Sequence, residues 1–394
     1  MLTIDKIYEA QKTLAGVARK TPLTPAPALG DTIYIKNENL QMTGSFKLRG
    51  AYNKLSHLTD EEKAKGVVAC SAGNHAQGVA LSATKMGIKS VICMPAGAPL
   101  AKVEATRGYG AEVVLVPGVY DDAAREAERL NKEEGYTVAH PFDDEYVMAG
   151  QGTIALEILE QLPEVEQIIV PIGGGGLISG IAVAVKTLKP SCKVIGVQAA
   201  GAPSMYNSVK HGQIEELPSV STIADGIAVK KPGDLTFECC KKFVDEVVTV
   251  SEDEIASAIL ALMENQKTVS EGAGATTVAA YKFGKVDTSL KTVCVVSGGN
   301  IDVTTLSRVI TKGLIKSGRI AEITTKVIDK PGMLINLLQV IGATGANIKE
   351  IDHKREDVSS EVNSCVVSMV LETRNAEHVE DIQKALTSAG YELL

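Results

Sequence analysis

Apolar residues change their spacing repeatedly along the chain from Gly66 onward. Short runs rich in β-branched residues, typical of buried parallel strands, alternate with stretches whose apolar positions recur at the helical period. The runs predict strands at Val67–Cys70, Ser90–Met94, Glu112–Val116 and Tyr136–Ala139. Helices are predicted between them, among others at Ala76–Met86 and Asp121–Glu134. This alternation predicts one compact α/β unit.

A second series of strands follows further along the chain. These strands are predicted at Ile168–Pro171, Val194–Gln198, Val247–Val250 and Thr292–Val296. Ser251-Glu252-Asp253-Glu254 carries the serine and glutamate of a capping box, which predicts that a helix begins there. The series therefore predicts a second α/β layer.

The pattern changes once more near Lys316-Ser317-Gly318-Arg319. The residues beyond it predict strand, helix, strand, strand, helix, strand, which is the ferredoxin-like βαββαβ order. Asp329-Lys330-Pro331-Gly332 supplies the first turn, and Met333–Ile341 the helix after it. We expect two domains, residues 1–317 and 318–394, with a smaller subdomain of about residues 45–145 inserted in the first.

Composition and charge narrow the range of partners. Hydrophobic residues make up 45% of the 394 residues and charged ones 22%, as in ordered globular proteins. The net charge of −8 disfavours nucleic acid and anionic lipid surfaces, which attract clustered basic residues. Ile168–Val185 lacks charge over the length of a membrane span, but Pro171 and four glycines divide it into strand, loop and helix. We therefore expect no membrane span.

The seven cysteines are scattered, mostly within apolar runs. Their spacing matches neither a disulfide framework nor a set of metal ligands. Residues 1–16 are interrupted by charges and lack the apolar centre of a signal peptide. We expect reduced thiols and a cytoplasmic location.

One lysine has surroundings suited to covalent chemistry. In Gly44-Ser45-Phe46-Lys47, Lys47 follows an aromatic ring and small residues at the start of a predicted helix. A lysine that forms a Schiff base must lose its proton, which desolvation favours. Taken alone the signal is weak, since most lysines are solvated surface charges.

A run of four glycines, Gly173–Gly176, lies between a predicted strand and a predicted helix. Backbone N–H groups at a helix N-terminus, unobstructed by Cβ atoms, form a cradle for a phosphate. The sequence is neither a Walker loop nor a Gly-x-Gly-x-x-Gly dinucleotide loop. The alternative is a tight turn without a ligand.

Two further polar loops follow predicted strands. Ser71-Ala72-Gly73-Asn74-His75 can bind an anion or a carboxylate, or can simply cap a helix. Ser297-Gly298-Gly299-Asn300 comes after the last strand of the second series. Ligands of open α/β sheets bind at the carboxyl ends of the strands, so these loops are expected to share one site.

The four segments, in this order, resemble those of fold type II pyridoxal-phosphate enzymes, and within them the threonine dehydratase (threonine ammonia-lyase) branch. The resemblance implies that Lys47 holds pyridoxal 5′-phosphate covalently, that Phe46 flanks its ring and that Asn74 bonds its 3′ oxygen. It places the phosphate on the backbone of Gly173, Gly174, Gly175, Gly176 and Leu177, and the pyridine nitrogen against Ser297. The loop of Ser71, Ala72, Gly73, Asn74 and His75 would bind the substrate carboxylate.

The implied reaction is deamination of L-threonine to 2-oxobutanoate and ammonia, with side activity on L-serine. A serine beside the pyridine nitrogen leaves the ring neutral, which favours elimination, and Lys47 is the natural base for the Cα proton. Serine racemases of this family carry a second serine where this chain has Ala72, which disfavours racemisation here. Three alternatives stay open: a serine dehydratase, a racemase or β-replacement enzyme, and a catalytically silent amino-acid sensor.

The resemblance also bears on metals and regulation. Relatives that bind a divalent metal carry acidic residues where this chain has Ala199–Asn207, which contains none, so no divalent metal is expected; a monovalent cation on backbone oxygens is compatible. The C-terminal residues resemble an ACT domain, which implies a small amino-acid effector, isoleucine being favoured over valine or AMP, and a homo-oligomer, dimer or tetramer. The implied effector site comprises Asp329, Gly332, Met333, Leu334, Asn347 and Ile348. The alternative is a dimerisation module without a ligand.

Overall fold

The computed structural model describes residues 2–355 and 363–394. The chain forms two compact units, one up to Val303 and the other from Thr304 onward. Each unit has its own apolar core. The first unit contains two sheets, each formed mainly or wholly by parallel strands.

The larger sheet of the first unit has six strands. They are β1 Leu23–Pro25, β2 Ile33–Asn37, β7 Gln167–Pro171, β8 Lys193–Ala199, β9 Glu246–Val250 and β10 Thr292–Val296. Their spatial order is β1-β2-β10-β7-β8-β9, and all neighbours are parallel except β1 and β2. The predicted second series of strands is therefore confirmed, and β10 lies between β2 and β7 at the centre.

The smaller sheet has four parallel strands in the order β5-β4-β3-β6. They are β3 Val67–Cys70, β4 Ser90–Pro95, β5 Glu112–Val116 and β6 Thr137–Val138. The last is shorter than the predicted Tyr136–Ala139. The Tyr136 side chain is buried in an apolar cluster. The Tyr136 backbone carbonyl accepts a hydrogen bond from the Asn131 side chain instead of pairing with β3.

Twelve α-helices surround these sheets. They are α1 Ile4–Thr13, α2 Lys47–Ser56, α3 Asp60–Lys65, α4 Asn74–Met86, α5 Leu100–Gly108, α6 Tyr120–Arg129, α7 Glu145–Gln161, α8 Gly176–Leu188, α9 Ser204–His211, α10 Asp234–Phe243, α11 Glu252–Gln266 and α12 Gly272–Lys282. The capping box at Ser251 is confirmed. The helical segment predicted at Asp121–Glu134 is confirmed, with one difference: α6 ends at Arg129, and Leu130–Glu134 continues it as a π-helical turn that Gly135 ends at φ 76°.

The uncharged stretch Ile168–Val185 folds as predicted. It forms most of β7, then the glycine turn, then the first part of α8, and all of these residues but Gly173 are buried. Across the described ranges, 2–355 and 363–394, no helix has both the length and the apolar character needed to cross a membrane.

The second unit contains one three-stranded antiparallel sheet. Its elements are α13 Val303–Lys316, β11 Ile320–Ile328, α14 Met333–Ala343, β12 Asn347–Lys354, β13 Ser364–Glu372 and α15 Ala376–Ser388. The strand order is β11-β13-β12, as in a ferredoxin-like fold. The predicted last strand is reduced to one bridge between Leu393 and Thr325. Tyr391, two residues before Leu393, still donates its N–H to the Leu386 carbonyl in α15, which leaves only a few residues that could pair with β11.

Candidate active site

Three of the four polar segments meet through hydrogen bonds. The Phe46 N–H donates to the Ser297 carbonyl at 3.0 Å, and the Gly299 N–H donates to the Gly44 carbonyl at 2.9 Å. Asn300 Nδ2 donates to Asn74 Oδ1 at 2.8 Å. The lysine segment, the loop after β3 and the loop after β10 therefore form one site, as expected for carboxyl ends of parallel strands.

The Lys47 side chain is half-buried at the start of α2. Its Nζ donates to the Pro141 carbonyl at 2.7 Å and lies 5.3 Å from the centre of the Phe46 ring. Burial lowers the pKa of Lys47 to about 8, although the nearby carboxylate of Glu271 acts in the opposite direction. About a tenth of the amine is therefore neutral, and nucleophilic, at pH 7, far more than for a lysine of ordinary pKa.

Glu271 is a site residue that the sequence reasoning missed. It is 3% exposed, and its Oε1 accepts a hydrogen bond from Asn74 Nδ2 at 2.7 Å. Burial, and then the charge of Asp225, raise the pKa of Glu271 to about 7. Its sequence signal is weak: it precedes Gly272-Ala273-Gly274-Ala275, a run of small residues that allows close packing at the start of α12.

The elevated pKa of Glu271 predicts a pH-dependent stability difference. The folded state keeps the proton between about pH 4.5 and 7, whereas the unfolded chain has lost it, so stability falls as the pH rises through this window. Relative to Glu271→Gln, which mimics the protonated form, cofactor-free wild-type protein is expected to lose about 3 kcal/mol across the window. Urea unfolding at several pH values measures this difference.

The matched control is Glu61→Gln, because Glu61 is a strongly exposed carboxylate on α3. This change is expected to alter the free energy of unfolding by less than about 0.5 kcal/mol over the same range. A difference between wild type and Glu271→Gln that stays constant with pH would contradict the assignment.

The glycine run lies against Phe142, the residue after Pro141. A Cβ on Gly174 would come within 2.4 Å of the Phe142 ring carbons, and Gly175 has φ 100°. The Thr236 hydroxyl donates to the Gly174 carbonyl at 2.5 Å, which fixes the orientation of that peptide. Among residues 2–355 and 363–394, none accepts a hydrogen bond from the backbone N–H groups of residues 173–177. The run therefore offers several convergent N–H donors at the N-terminus of α8.

Pro141 and Phe142 connect the Lys47 side chain to the glycine run. Its Nζ bonds to the Pro141 carbonyl, and the next residue, Phe142, contacts Gly174. The structure therefore brings all four predicted segments together. A desolvated amine, a phosphate cradle and polar side chains around them are the groups that a phosphorylated aldehyde cofactor needs.

Comparison with known proteins identifies the family. The model of the family described as pyridoxal-phosphate dependent enzyme matches residues 14–298. The chain belongs to the pyridoxal-phosphate dependent enzymes. Its match covers the lysine segment, both polar loops and the glycine run, and the cofactor of the family is pyridoxal phosphate. The residues of this site fit that group, since the free N–H donors of the glycine run suit its phosphate and the Lys47 amine suits its aldehyde.

Individual relatives of this pyridoxal-phosphate dependent enzyme extend over both units. The chain is 51% identical over 398 residues to an L-threonine ammonia-lyase of Thermotoga maritima, covering 100% of this chain and 99% of the relative. It is 48% identical over 396 residues to an L-threonine ammonia-lyase of Geobacter sulfurreducens, covering 99% of this chain and 98% of the relative.

Solved structures of related enzymes cover the first unit. Processed threonine deaminase isoform 2 of Solanum lycopersicum is 38% identical with a TM-score of 0.75, covering 78% of this chain and 87% of that one. Maize serine racemase is 37% identical with a TM-score of 0.74, and the match covers 80% of this chain and 98% of the racemase chain. These likenesses confirm the predicted fold type II architecture.

In the loop after β3, the side chains of Ser71, Ala72 and His75 already have partners within the protein. His75 is buried, its ring Nε2 bonds to the Ala139 carbonyl at 2.8 Å, and burial lowers its pKa to about 3. Its imidazole is therefore neutral and already engaged. The Ser71 hydroxyl accepts from the Gly73 N–H at 3.2 Å, and Ala72 packs on the core of the smaller sheet. The backbone of this loop, rather than the His75 ring, is available to a ligand.

The close approach of Gly174 to Phe142 predicts the effect of a single methyl group. Gly174→Ala would force the ring or the backbone to shift, and is expected to weaken pyridoxal-phosphate binding about tenfold or more. Absorbance titration of cofactor-free protein measures the dissociation constant. Gly97→Ala is the matched control, because its Cβ would enter open space. Equal affinity of both variants and wild type would contradict a role of this turn as cradle.

The predicted effector residues all lie in the second unit. Met333, Leu334 and Ile348 pack against its apolar core, and Gly332 begins α14 with φ 89°. The Asn347 side chain donates to Glu372 at 2.9 Å. Asp329 is exposed and pairs with Arg355 at 3.3 Å. The structure thus gives these residues two different environments, one apolar and one charged.

Proposed function

We propose that this pyridoxal-phosphate dependent enzyme deaminates L-threonine to 2-oxobutanoate and ammonia, with side activity on L-serine. The observation that carries the proposal is the likeness to L-threonine ammonia-lyases along essentially the whole of both chains. The desolvated amine of Lys47, facing a cradle of backbone donors, supplies the required chemistry.

The proposed cofactor contacts follow the geometry of the site. Lys47 would hold pyridoxal phosphate, with Phe46 beside it, and residues 173–177 would donate their N–H groups to the phosphate. Ser297 is 1% exposed, and its hydroxyl makes no hydrogen bond to another described residue, so it is free to donate to the pyridine nitrogen. Asn74 is held by Glu271 and Asn300, which fixes its amide for a ring oxygen.

When bound, the cofactor supplies an electron sink for the electron pair left at Cα. Lys47 Nζ, with its lowered pKa, accepts the Cα proton. The backbone of residues 71–75 orients the substrate carboxylate at the N-terminus of α4, where partial positive charge favours an anion. Glu271 and Ser297 are buried and Lys47 is half-buried, which limits the access of water to the reacting atoms. The β-hydroxyl leaves with a proton as water, and the released enamine, after tautomerising to the imine, is hydrolysed by water to the 2-oxo acid and ammonia.

The test is steady-state turnover of L-threonine and L-serine by the cofactor-loaded protein. We expect 2-oxobutanoate and ammonia in equal amounts from threonine, and a lower kcat/KM for serine. Absence of 2-oxobutanoate from a fully loaded preparation would contradict the proposal.

Racemisation of serine is a second candidate, favoured by the structural likeness to maize serine racemase. Ala72 argues against it, because a methyl group offers no proton on the face opposite Lys47. Chiral analysis of the products from L-serine separates the two functions. D-serine formed faster than pyruvate would favour the racemase.

We further propose that residues 318–394 form an ACT-like regulatory module that binds a small amino acid, and that the enzyme is a cytoplasmic homo-oligomer. The ferredoxin-like strand order and the predicted turn before α14 support the module. All seven cysteines are free thiols, as suits a reducing compartment. Turnover with and without isoleucine, valine and AMP tests the regulation, and the solution mass tests the assembly.

A further inference from the structure

Three potential metal ligands meet at one end of the sheet in the second unit. Cys365 on β13 pairs in register with Val327 on β11, His353 lies on β12, and Asp329 directly follows β11. One ligand atom of each of the three residues lies within 4.8 Å of the other two. His353 Nε2 is 3.0 Å from Cys365 Sγ. The sequence did not predict this cluster, because its members lie on separate strands.

We propose that Asp329, His353 and Cys365 bind a divalent transition-metal ion of the zinc type. A thiolate and an imidazole select zinc over magnesium or calcium, which prefer oxygen ligands. With usual zinc–ligand bond lengths, neighbouring ligand atoms of a tetrahedral site lie about 3.3–3.6 Å apart. The observed spacing requires only a small opening between His353 and Cys365.

The surroundings suit a site with three protein ligands and one solvent ligand. Asp329 and His353 are exposed, so an ion can enter from solvent, whereas Cys365 is 1% exposed at the base. The Cys365 thiol now donates to the Val327 carbonyl at 3.3 Å. Metal binding replaces the S–H bond by a metal–thiolate bond and releases that proton to the buffer.

Arg355 is the local competitor of the metal. Its guanidinium pairs with Asp329 Oδ1 at 3.3 Å. Arg355→Gln removes this cation and is expected to tighten metal binding by up to about fivefold, the range open to an exposed ion pair. A gain of affinity on removing a charge is a result that general loss of structure cannot produce.

This site is independent of the proposed deamination. The expectation that no divalent metal binds rested on residues Ala199–Asn207 in the first unit, whereas this cluster lies in the second. It includes Asp329 of the predicted effector turn, so the metal and an effector would share one carboxylate.

The experiment is Co²⁺ and Zn²⁺ titration of the full-length, cofactor-loaded protein after removal of metals. We expect one ion per chain, with tetrahedral cobalt bands at wavelengths longer than those of pyridoxal phosphate, and with proton release. His353→Gln and Cys365→Ser are each expected to weaken binding by at least about 100-fold, since loss of an outer-sphere partner alone costs about 10–100-fold. His353 is exposed, so its variant tests the site without a change in the core.

Two controls match these variants. Cys192→Ser removes another buried thiol that donates to a backbone carbonyl. A cation, Lys186, lies near Cys192, and its Nζ donates to the Cys192 carbonyl. His211→Gln removes an exposed histidine that pairs only with Glu215 among the described residues. Both are expected to bind metal like wild type. Wild-type protein that binds no ion, or binds one equally well without His353, would overturn the proposal and leave a plain hydrogen bond between His353 and Cys365.

Discussion

Lys47→Ala is expected to lower kcat for L-threonine by about 1,000-fold or more, because the change removes both the proposed cofactor amine and the proposed base for the Cα proton. The half-buried position and the pKa of about 8 make this amine chemically distinct from a surface lysine. The variant should also lose the borohydride-reducible absorbance of a covalently held cofactor. Both turnover and the absorption spectrum of the reconstituted protein measure the effect.

Lys54→Ala is the matched control on the same helix. Lys54 pairs with Asp144 at 2.7 Å and lies 5.5 Å from the centre of the Tyr146 ring. Loss of this partly exposed pair is expected to cost less than about 1 kcal/mol of stability and to leave turnover of loaded protein within a factor of two. If Lys47→Ala kept wild-type turnover, the assignment of the lysine, and the reaction proposed for it, would be wrong.

Arg49→Leu is expected to destabilise the first unit by about 3–5 kcal/mol, because it leaves the buried carboxylate of Glu38 without its hydrogen-bonded cation, whereas Glu157 keeps its ion pair with Lys36. Arg49 is 1% exposed, and its guanidinium bonds to Glu38 at 2.8 and 2.9 Å and to Glu157 at 2.6 Å. Burial alone would raise the pKa of Glu38, yet the Arg49 charge and hydrogen bonds hold it below its ordinary value. Urea unfolding at neutral pH measures the loss.

Arg129→Leu is the matched control for this prediction. Arg129 also bonds to two carboxylates, Glu126 at 2.8 Å and Glu133 at 2.7 Å, but its side chain is 43% exposed. Solvent screens such pairs, so the change is expected to cost less than about 1 kcal/mol. Equal losses for the two variants would show that burial of the Arg49 network does not decide its contribution.

The Arg49 network lies close in sequence to Lys47, the proposed catalytic lysine. Arg49 lies two residues after Lys47 on α2, and its partners lie on α7 and in the turn after β2. A loss of Arg49 is therefore expected to disturb the start of α2 before the rest of the fold. Cofactor content of Arg49→Leu at low urea concentration reports this directly.

Local signals account for what was predicted correctly in the first unit. The β-branched runs gave β3, β4, β5 and the central strands because buried parallel strands have a short, nearly continuous apolar pattern. Ser251 and Glu254 marked the start of α11, because both halves of a capping box lie within one turn. The glycine run marked the cradle, because a close approach and a positive φ both require residues without Cβ.

Boundaries that depend on neighbours were predicted less well. The short β6 and the single bridge at Leu393 each follow from hydrogen bonds of Tyr136 and Tyr391 that compete with the sheet ladder. The change from α-helix to π-helical turn at Leu130 lies within one continuous helical stretch and leaves no mark in the apolar spacing. Hydrophobic periodicity carries no information on such competition.

The sequence by itself determined most of the elements and the family, and it singled out Lys47, the glycine run and Ser297 as candidate site residues, since each lies in a short segment whose residue types fit one chemistry. Tertiary structure alone decided that Glu271 holds Asn74, that Phe142 limits Gly174, and that Asp329, His353 and Cys365 meet. The physical reason is distance along the chain. Contacts between side chains on separate strands and helices arise from packing and register, and a lone Glu, Phe, His or Cys looks the same in sequence whether or not such a partner exists.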